Sequence, residues 1–434
     1  MDCKKAPMKR HRDSHKSIDP AGSTPDNLRA PKRHRQEDAY GIEMPFFDGL
    51  PDELVLAILA ALDDPRSLAM WAQTSRRHYG LVNDPFVWRR LCESHFGPLL
   101  HRNFAKWGKS WRWLYRAQAR VAATVGTDVG ALMVKVCGNK CVYWGECHDG
   151  LPHGYGLALL LPTPHCDRWC TLVRAWTNPA ASETINNIGY EGDWVDGRMC
   201  GHGINTAGDG SLHNGQWNND KRNGPGVYVR ADGFECDGEW ANDKHVGHGT
   251  ATWPDGTYYV GLWADDVRNG RGMCTFSTGC HYDGEWTNDH FNGRGTYTWP
   301  DGEHYNGDWK YDKRDGQGTS VYANGDRYEG GWKDDERNGH GVYTWPCGMR
   351  YEGQHKDDER NGHGVSTYPN GSRYEGNWRD GLFHGEGLLV KRDGSRYQGD
   401  WAEDGRHGHG LCVKADKSRY DGSWRRNKRH GAGI

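Results

Sequence analysis

At 434 residues the chain has room for two or three domains, but only 35% of it is hydrophobic and it carries 61 glycines, which suits an extended sheet better than one large core. It has no apolar run of about eighteen residues, so no membrane-spanning helix is expected, and the polar N-terminus is not a signal peptide. A near-balanced charge, formally −3, and 13 cysteines without paired spacing fit reduced thiols in a cytoplasmic or nuclear setting.

Residues 1–43 are rich in Lys, Arg, His, Pro and Asp without apolar periodicity, as in a disordered basic tail. The clusters Lys9-Arg10-His11-Arg12 and Pro31-Lys32-Arg33-His34-Arg35 suit nuclear import as well as simple solvation, and nucleic acid is not an expected partner. Residues 44–95 then read as helices. Leu50-Pro51-Asp52-Glu53-Leu54 leads into Ile58, Leu59 and Leu62 at helical spacing, followed by Leu68, Ser75-Arg76-Arg77, Asp84-Pro85 and Trp88-Arg89-Arg90-Leu91. Pro51, Pro65 and Pro85 stand where a missing N–H costs a helix nothing, which predicts three short helices. A further helix around Ser110-Trp111-Arg112-Trp113-Leu114-Tyr115 belongs to a trailing helical linker, 96–128.

This ordered set of elements resembles the F-box. The resemblance implies docking on the Skp-type adaptor that bridges to a cullin in SCF-class ubiquitin ligases. It also implies Leu50, Pro51, Leu54, Ile58, Leu59, Leu62 and Leu68 as adaptor-facing or interface-supporting positions. So small a helical unit buries little core alone and gains stability from a partner or from the trailing helix.

Over residues 190–434 tryptophan returns every 23 residues, from Trp194, Trp217 and Trp240 through to Trp378, Trp401 and Trp424, with His355 in the one missed beat. Such a period means a repeat array, which acts by presenting surface. In Tyr351-Glu352-Gly353-Gln354 and its sister segments, two-residue alternation puts Tyr, Gly and the Trp position on one face and acidic or amide residues on the other. A six-residue loop is expected next, then a second strand such as Gly341-Val342-Tyr343-Thr344-Trp345. Asp255-Gly256, Asn324-Gly325 and their equivalents would join repeats as the central pair of type I′ turns.

The pattern resembles the MORN repeat, with eleven copies over 190–434. A degenerate first copy with an insertion, or an eroded repeat, spans 129–189, and Cys147 stands there in the tryptophan position. The expected fold class is α+β as separate domains: a small N-terminal helical F-box bundle, then an elongated antiparallel β-hairpin MORN repeat array.

Chemistry-bearing residues give little sign of catalysis. Cys137, Cys141, Cys147, His148, His165, Cys166 and Cys170 lack the spacing of a common zinc finger, so no metal is expected. His202, His248, His340, His363 and His409 recur about 10 Å apart, too far for shared ligation. Asp residues three after each Trp, such as Asp243 and Asp335, read as turn caps. Gly108-Lys109-Ser110 echoes a phosphate loop but lacks the earlier glycine and the preceding strand. With no nucleophile elbow, kinase signature or cofactor motif, a non-enzymatic protein is expected.

Arg327, Arg350, Arg373, Arg396 and Arg419 recur at one position. A two-residue hairpin register would set Arg350 opposite Trp345, Arg327 opposite Tyr322 and Arg373 opposite Tyr368, for cation–π pairing. Otherwise they form a row for an acidic partner or a lipid headgroup, and Glu329, Glu352 and Glu375 beside them argue against lipid. The favoured role is an adaptor whose F-box engages the ligase while the repeats recruit a client protein. The rival is a MORN scaffold or homodimerisation platform that binds membrane phospholipid. The domain pairing resembles proteins of giant DNA viruses such as pandoraviruses, which implies a host cell's ligase and client.

Overall fold

The computed structural model describes residues 47, 49–97, 101, 103–136, 139–160 and 189–434. The basic tail and its clusters, with Cys137, His165, Cys166 and Cys170, lie outside the described residues. Phe47, Gly49, Leu50 and Pro51 belong to one compact unit and Asp52–Ile434 to another.

Four helices stand where three were predicted: α1 (Asp52–Ala61), α2 (Pro65–Ala72), α3 (Arg76–Val82) and α4 (Pro85–Phe96). Pro65 and Pro85 open α2 and α4, and the side chains of Asp64 and Asp84 accept the first free N–H groups. The unpredicted helix α3 has no proline to announce it. Ser75 caps it by accepting the His78 N–H. Val55, Leu59, Leu68, Val87 and Leu91 are fully buried and form the bundle core.

A 3-10 turn, Phe104–Trp107, leads to α5 (Trp111–Ala119), which packs on α4 and also on the first two strands, β1 (Thr127–Val136) and β2 (Asn139–His148). Ala117 and Trp113 meet Ala131, Val142, Trp144 and Leu157 there. The expectation of separate domains therefore gives way to one unit of helices and sheet. The reason is an apolar stripe on α5 that finds its cover on the sheet.

Among the described residues the sheet has 25 strands, antiparallel throughout and each paired with its neighbours in sequence. Strand β1 falls within the span given to the degenerate copy, ahead of that copy's Tyr143 and Gly145, and β3 (Leu151–Leu160) pairs directly with β4 (Gly189–Val195), setting Gly156 opposite Gly192. Gly341 and Gly353 meet in the same way between two later repeats, and the segment read as an insertion or an eroded repeat lies, over 161–188, outside the described residues.

Each full repeat has a seven-residue strand such as Arg327–Lys333 and a nine-residue strand such as Glu336–Thr344. The six-residue loop expected between them is absent. Asp334 and Asp335 alone link the two, with φ of 48° and 75°, which is the type I′ geometry. The inter-repeat links differ from expectation in the opposite sense. In Trp253-Pro254-Asp255-Gly256 the Gly256 N–H donates to the Trp253 carbonyl, the Trp253 N–H donates to Thr257, and only Gly256 has positive φ. This is a type I turn closed by a left-handed glycine: proline suits its second position and could never adopt the positive φ of a primed turn.

The tyrosines and tryptophans share the buried face, as the alternation predicts. Tyr328 is 0% and Trp332 5% exposed, while Arg327 and Glu329 are exposed on the other face. Each ring meets the next edge-on: Trp332 lies 5.2 Å from Tyr328 and 5.4 Å from Tyr305 of the preceding repeat. The Trp332 Nε1–H donates to the Gly318 carbonyl at 3.4 Å. Arg314 then locks the repeats together. Its guanidinium lies 4.1 Å over Trp332, Nε donates to the Asp335 carboxylate at 3.2 Å and one terminal nitrogen donates to the Asp335 carbonyl at 2.8 Å.

Candidate functional site

The predicted adaptor residues fall into two groups. Leu59 and Leu68 are fully buried, so they support the helical surface from beneath. Leu54 is 53% and Leu62 39% exposed, and Ile58 is half-buried one turn after Leu54 on α1. Within the other unit Leu50 is half-buried and Pro51 exposed, and the Leu50 N–H donates to the Phe47 carbonyl of that same unit at 3.2 Å. The helices also expose Met70, Tyr79 and Phe86. The sequence reading passed over these three, although large apolar residues beside charged ones on short helices were the signal to follow.

The arginine row is not stacked on aromatics. With three-residue links, Arg327 lies opposite Val321, Arg350 opposite Thr344 and Arg373 opposite Thr367. Those three instead pair with Glu329, Glu352 and Glu375 on their own strands, at 2.8, 2.6 and 2.6 Å. Arg396 lies opposite Val413 and Arg419 opposite the same residue across the next link, both exposed. The cation–π role belongs to arginines that the sequence reading missed, Arg222, Arg268, Arg314, Arg360 and Arg406, each 4.1 Å from the next tryptophan. Their signal was a fixed offset of five residues after the Trp position.

Other singled-out residues have structural places. Cys147 is buried in the tryptophan position, and burial pushes its thiol up to about 12. Lys109 of the phosphate-loop echo is held by Glu146 at 2.6 Å, and Ser110 caps α5. Asp243 and its equivalents accept the backbone N–H twenty-one residues earlier, as Arg222 donates to Asp243 at 2.9 Å. The five recurrent histidines are exposed on the polar face, among them His340 opposite Gln354.

Three other histidines interrupt the aromatic face. His213 takes a tyrosine position, His245 a clamp-arginine position and His355 a tryptophan position, each 3–4% exposed. Burial lowers all three to about 4, and for His355 the Arg337 charge adds to it. A histidine kept neutral in the fold but free to protonate when unfolded contributes stability above about pH 6.5 that is lost as pH falls toward 4. His355→Trp would supply a ring to Arg337 and a donor to the Gly341 carbonyl. It should stabilise the chain by about 1–2 kcal/mol at neutral pH. Melting curves between pH 7 and 4 should show a shallower decline for this variant, and parallel curves would exclude a titrating His355.

A junction closes the picture. Asn103 donates its backbone N–H and its side-chain amide to Glu191 at 2.9 and 3.0 Å, while Trp107 stacks on Tyr155 at 5.0 Å. His101, fully buried, meets the Trp144 carbonyl at 3.2 Å. The segment leading into α5 is thus seated on the polar face of β2 to β5 (Arg198–Thr206). Among the described residues no helix is long and apolar enough to cross a membrane.

Comparison with known proteins gives two family matches. The MORN repeat profile matches 145–157 and eleven further segments between 190 and 434, more than half of the chain. An F-box-like profile matches 47–94. The chain is similar to the probable E3 ubiquitin ligase complex SCF subunit sconB of Aspergillus terreus, Neosartorya fischeri and Aspergillus fumigatus, at 42% identity over 67 residues in each. Those matches take in 15% of this chain and span only 9% of the length of those relatives. Among solved structures, the TCP10 domain of Danio rerio CPAP with a STIL peptide aligns with 51% of this chain and 98% of that one, at 10% identity and a TM-score of 0.28, a likeness that carries no argument.

Proposed function

The chain belongs to the MORN repeat family, and from that premise we propose that it is a non-enzymatic adaptor of an SCF-class ubiquitin ligase. The F-box-like helices dock on a Skp-type subunit that bridges to a cullin, and the repeat sheet holds a client protein for ubiquitin transfer. The observation that carries this reading is the F-box-like segment, 47–94, with Leu54, Leu62, Met70 and Phe86 exposed on a helical bundle whose core is already filled. The sconB relatives, named as SCF subunits, support it. Action is by proximity: holding client and ligase on one body raises their effective concentration. The likeness of the domain pairing to giant-virus proteins extends the proposal to a ligase supplied by a host cell, in its cytoplasm or nucleus.

The test is affinity capture from a cell lysate with the intact chain and with a Leu50→Ala, Pro51→Ala variant, read by mass spectrometry. The intact chain should bring down a Skp-type protein and a cullin, and the variant should lose both with its circular dichroism unchanged. If neither protein appears with the intact chain, the ligase reading fails.

A further inference from the structure

Residues 101–120 contain six Lys or Arg, three Trp and no Asp or Glu. Part of this basic, aromatic stretch is seated on the polar face of the sheet, and the residues that receive it occupy fixed repeat positions. Glu191, one after the repeat tyrosine, takes both amide groups of Asn103. Glu146, one after the first-strand glycine, takes Lys109 at 2.6 Å. Tyr155 and His202, each between the two glycines of the second strand, meet Trp107 at 5.0 and 5.5 Å. Glu191 is only 7% exposed as a result.

The same positions recur farther along the sheet. Glu329, Glu352 and Glu375 repeat Glu191, Asp308 and Asp400 repeat Glu146, and His340, His363 and His409 repeat His202. Here they are open: the three glutamate side chains are 64%, 43% and 41% exposed, and their arginine partners engage Oε2. Two grooves on this face, of about 710 and 800 Å³, include Glu329 with His340, and Glu375 with Asp400 and His409. Val342, Leu388 and Leu411 supply apolar floor between the charges.

We propose that the polar face around Glu329, Glu352 and Glu375 binds a basic, tryptophan-bearing segment of a partner protein, in the manner in which the chain's own residues 103–113 occupy the first repeats. Carboxylates accept N–H and cationic donors, as Glu191 and Glu146 do, and indole rings lie against the histidines. The inference rests on the adaptor reading only in naming that partner the client.

The test uses a fluorescein-labelled synthetic peptide of residues 101–116 added to the intact chain, followed by anisotropy. Saturable binding is expected, weakened at least tenfold in a Glu329→Gln, Glu352→Gln, Glu375→Gln variant of unchanged melting temperature. Binding should also weaken as NaCl rises from about 50 to about 300 mM, as partly exposed charge pairs require. A peptide with every Lys and Arg changed to Glu should not bind. Absence of binding by the original peptide, or equal binding by the triple variant, overturns the proposal. So would two other outcomes: sedimentation with phosphatidylserine vesicles that strengthens in the triple variant, which would assign the face to lipid, or a dimer that dissociates in it, which would assign the face to a second copy. Adaptor capture is scored separately on the same proteins. Capture without peptide binding removes the face assignment and leaves the ligase reading standing, and the converse result removes the ligase reading alone.

Discussion

Gly341→Ala is expected to destabilise its part of the array by about 3 kcal/mol, at the upper end for one added methyl. The backbone there needs no left-handed conformation, so the cost is one of space. A Cβ at this position would lie 2.3 Å from the Tyr328 hydroxyl oxygen and 2.5 Å from two ring carbons. The ring has nowhere to go. It is fully buried, donates its hydroxyl to the Gly331 carbonyl at 3.0 Å, and is held between Trp332 at 5.2 Å and His355 at 5.1 Å. The same exchange at Gly80, in α3, meets nothing within 4 Å and should stabilise that helix by about 0.5–1 kcal/mol. Urea unfolding and hydrogen exchange over residues 327–356 would measure the first effect as a local loss of protection, since neighbouring repeats are coupled mainly through their shared interfaces. In a Tyr328→Ala background the Gly341→Ala cost should shrink by at least 1 kcal/mol, and an unchanged cost would show that the ring is not the obstacle.

That tyrosine-over-glycine packing explains why so much of the sheet was legible. Period 23 announced the repeat, and two-residue alternation placed Tyr328 and Trp332 on one face, because a ring laid across paired strands demands Gly330 and Gly341 beneath it. The turns were misread for a definite reason. Asp-Gly favours two turn types: Pro254, with φ fixed near −65°, excludes the primed one, yet the same three-residue link forms at Ala231-Asp232-Gly233 and Ala323-Asn324-Gly325, so the dipeptide alone did not decide between them. One residue of loop length then moved Arg327, Arg350 and Arg373 away from their expected aromatics, leaving each to the glutamate two positions on in its own strand. Helix α3 escaped because Ser75, not proline, opens it. The junction at Glu191 was beyond sequence reasoning, since Asn103 and Glu191 stand 88 residues apart and no local pattern couples them.

Leu54→Arg should weaken capture of a Skp-type adaptor by about thirtyfold, equivalent to about 2 kcal/mol, while leaving the fold intact. Leu54 is 53% exposed, so a longer charged side chain displaces no core atom, yet a partner closing over it would have to bury an unpaired guanidinium. Leu59, four positions from Val55 on the opposite stripe of α1, is 0% exposed. Leu59→Ala leaves a cavity and should cost about 2–5 kcal/mol of stability. The two variants separate interface from core by their signatures. Titration of purified adaptor into the folded chain should show weak binding for Leu54→Arg at an unchanged melting temperature. For Leu59→Ala, affinity should return to the wild-type value on cooling, as the unfolded fraction shrinks. Wild-type affinity in Leu54→Arg would remove α1 from the contact and leave Met70, Tyr79 and Phe86 as the surface to test.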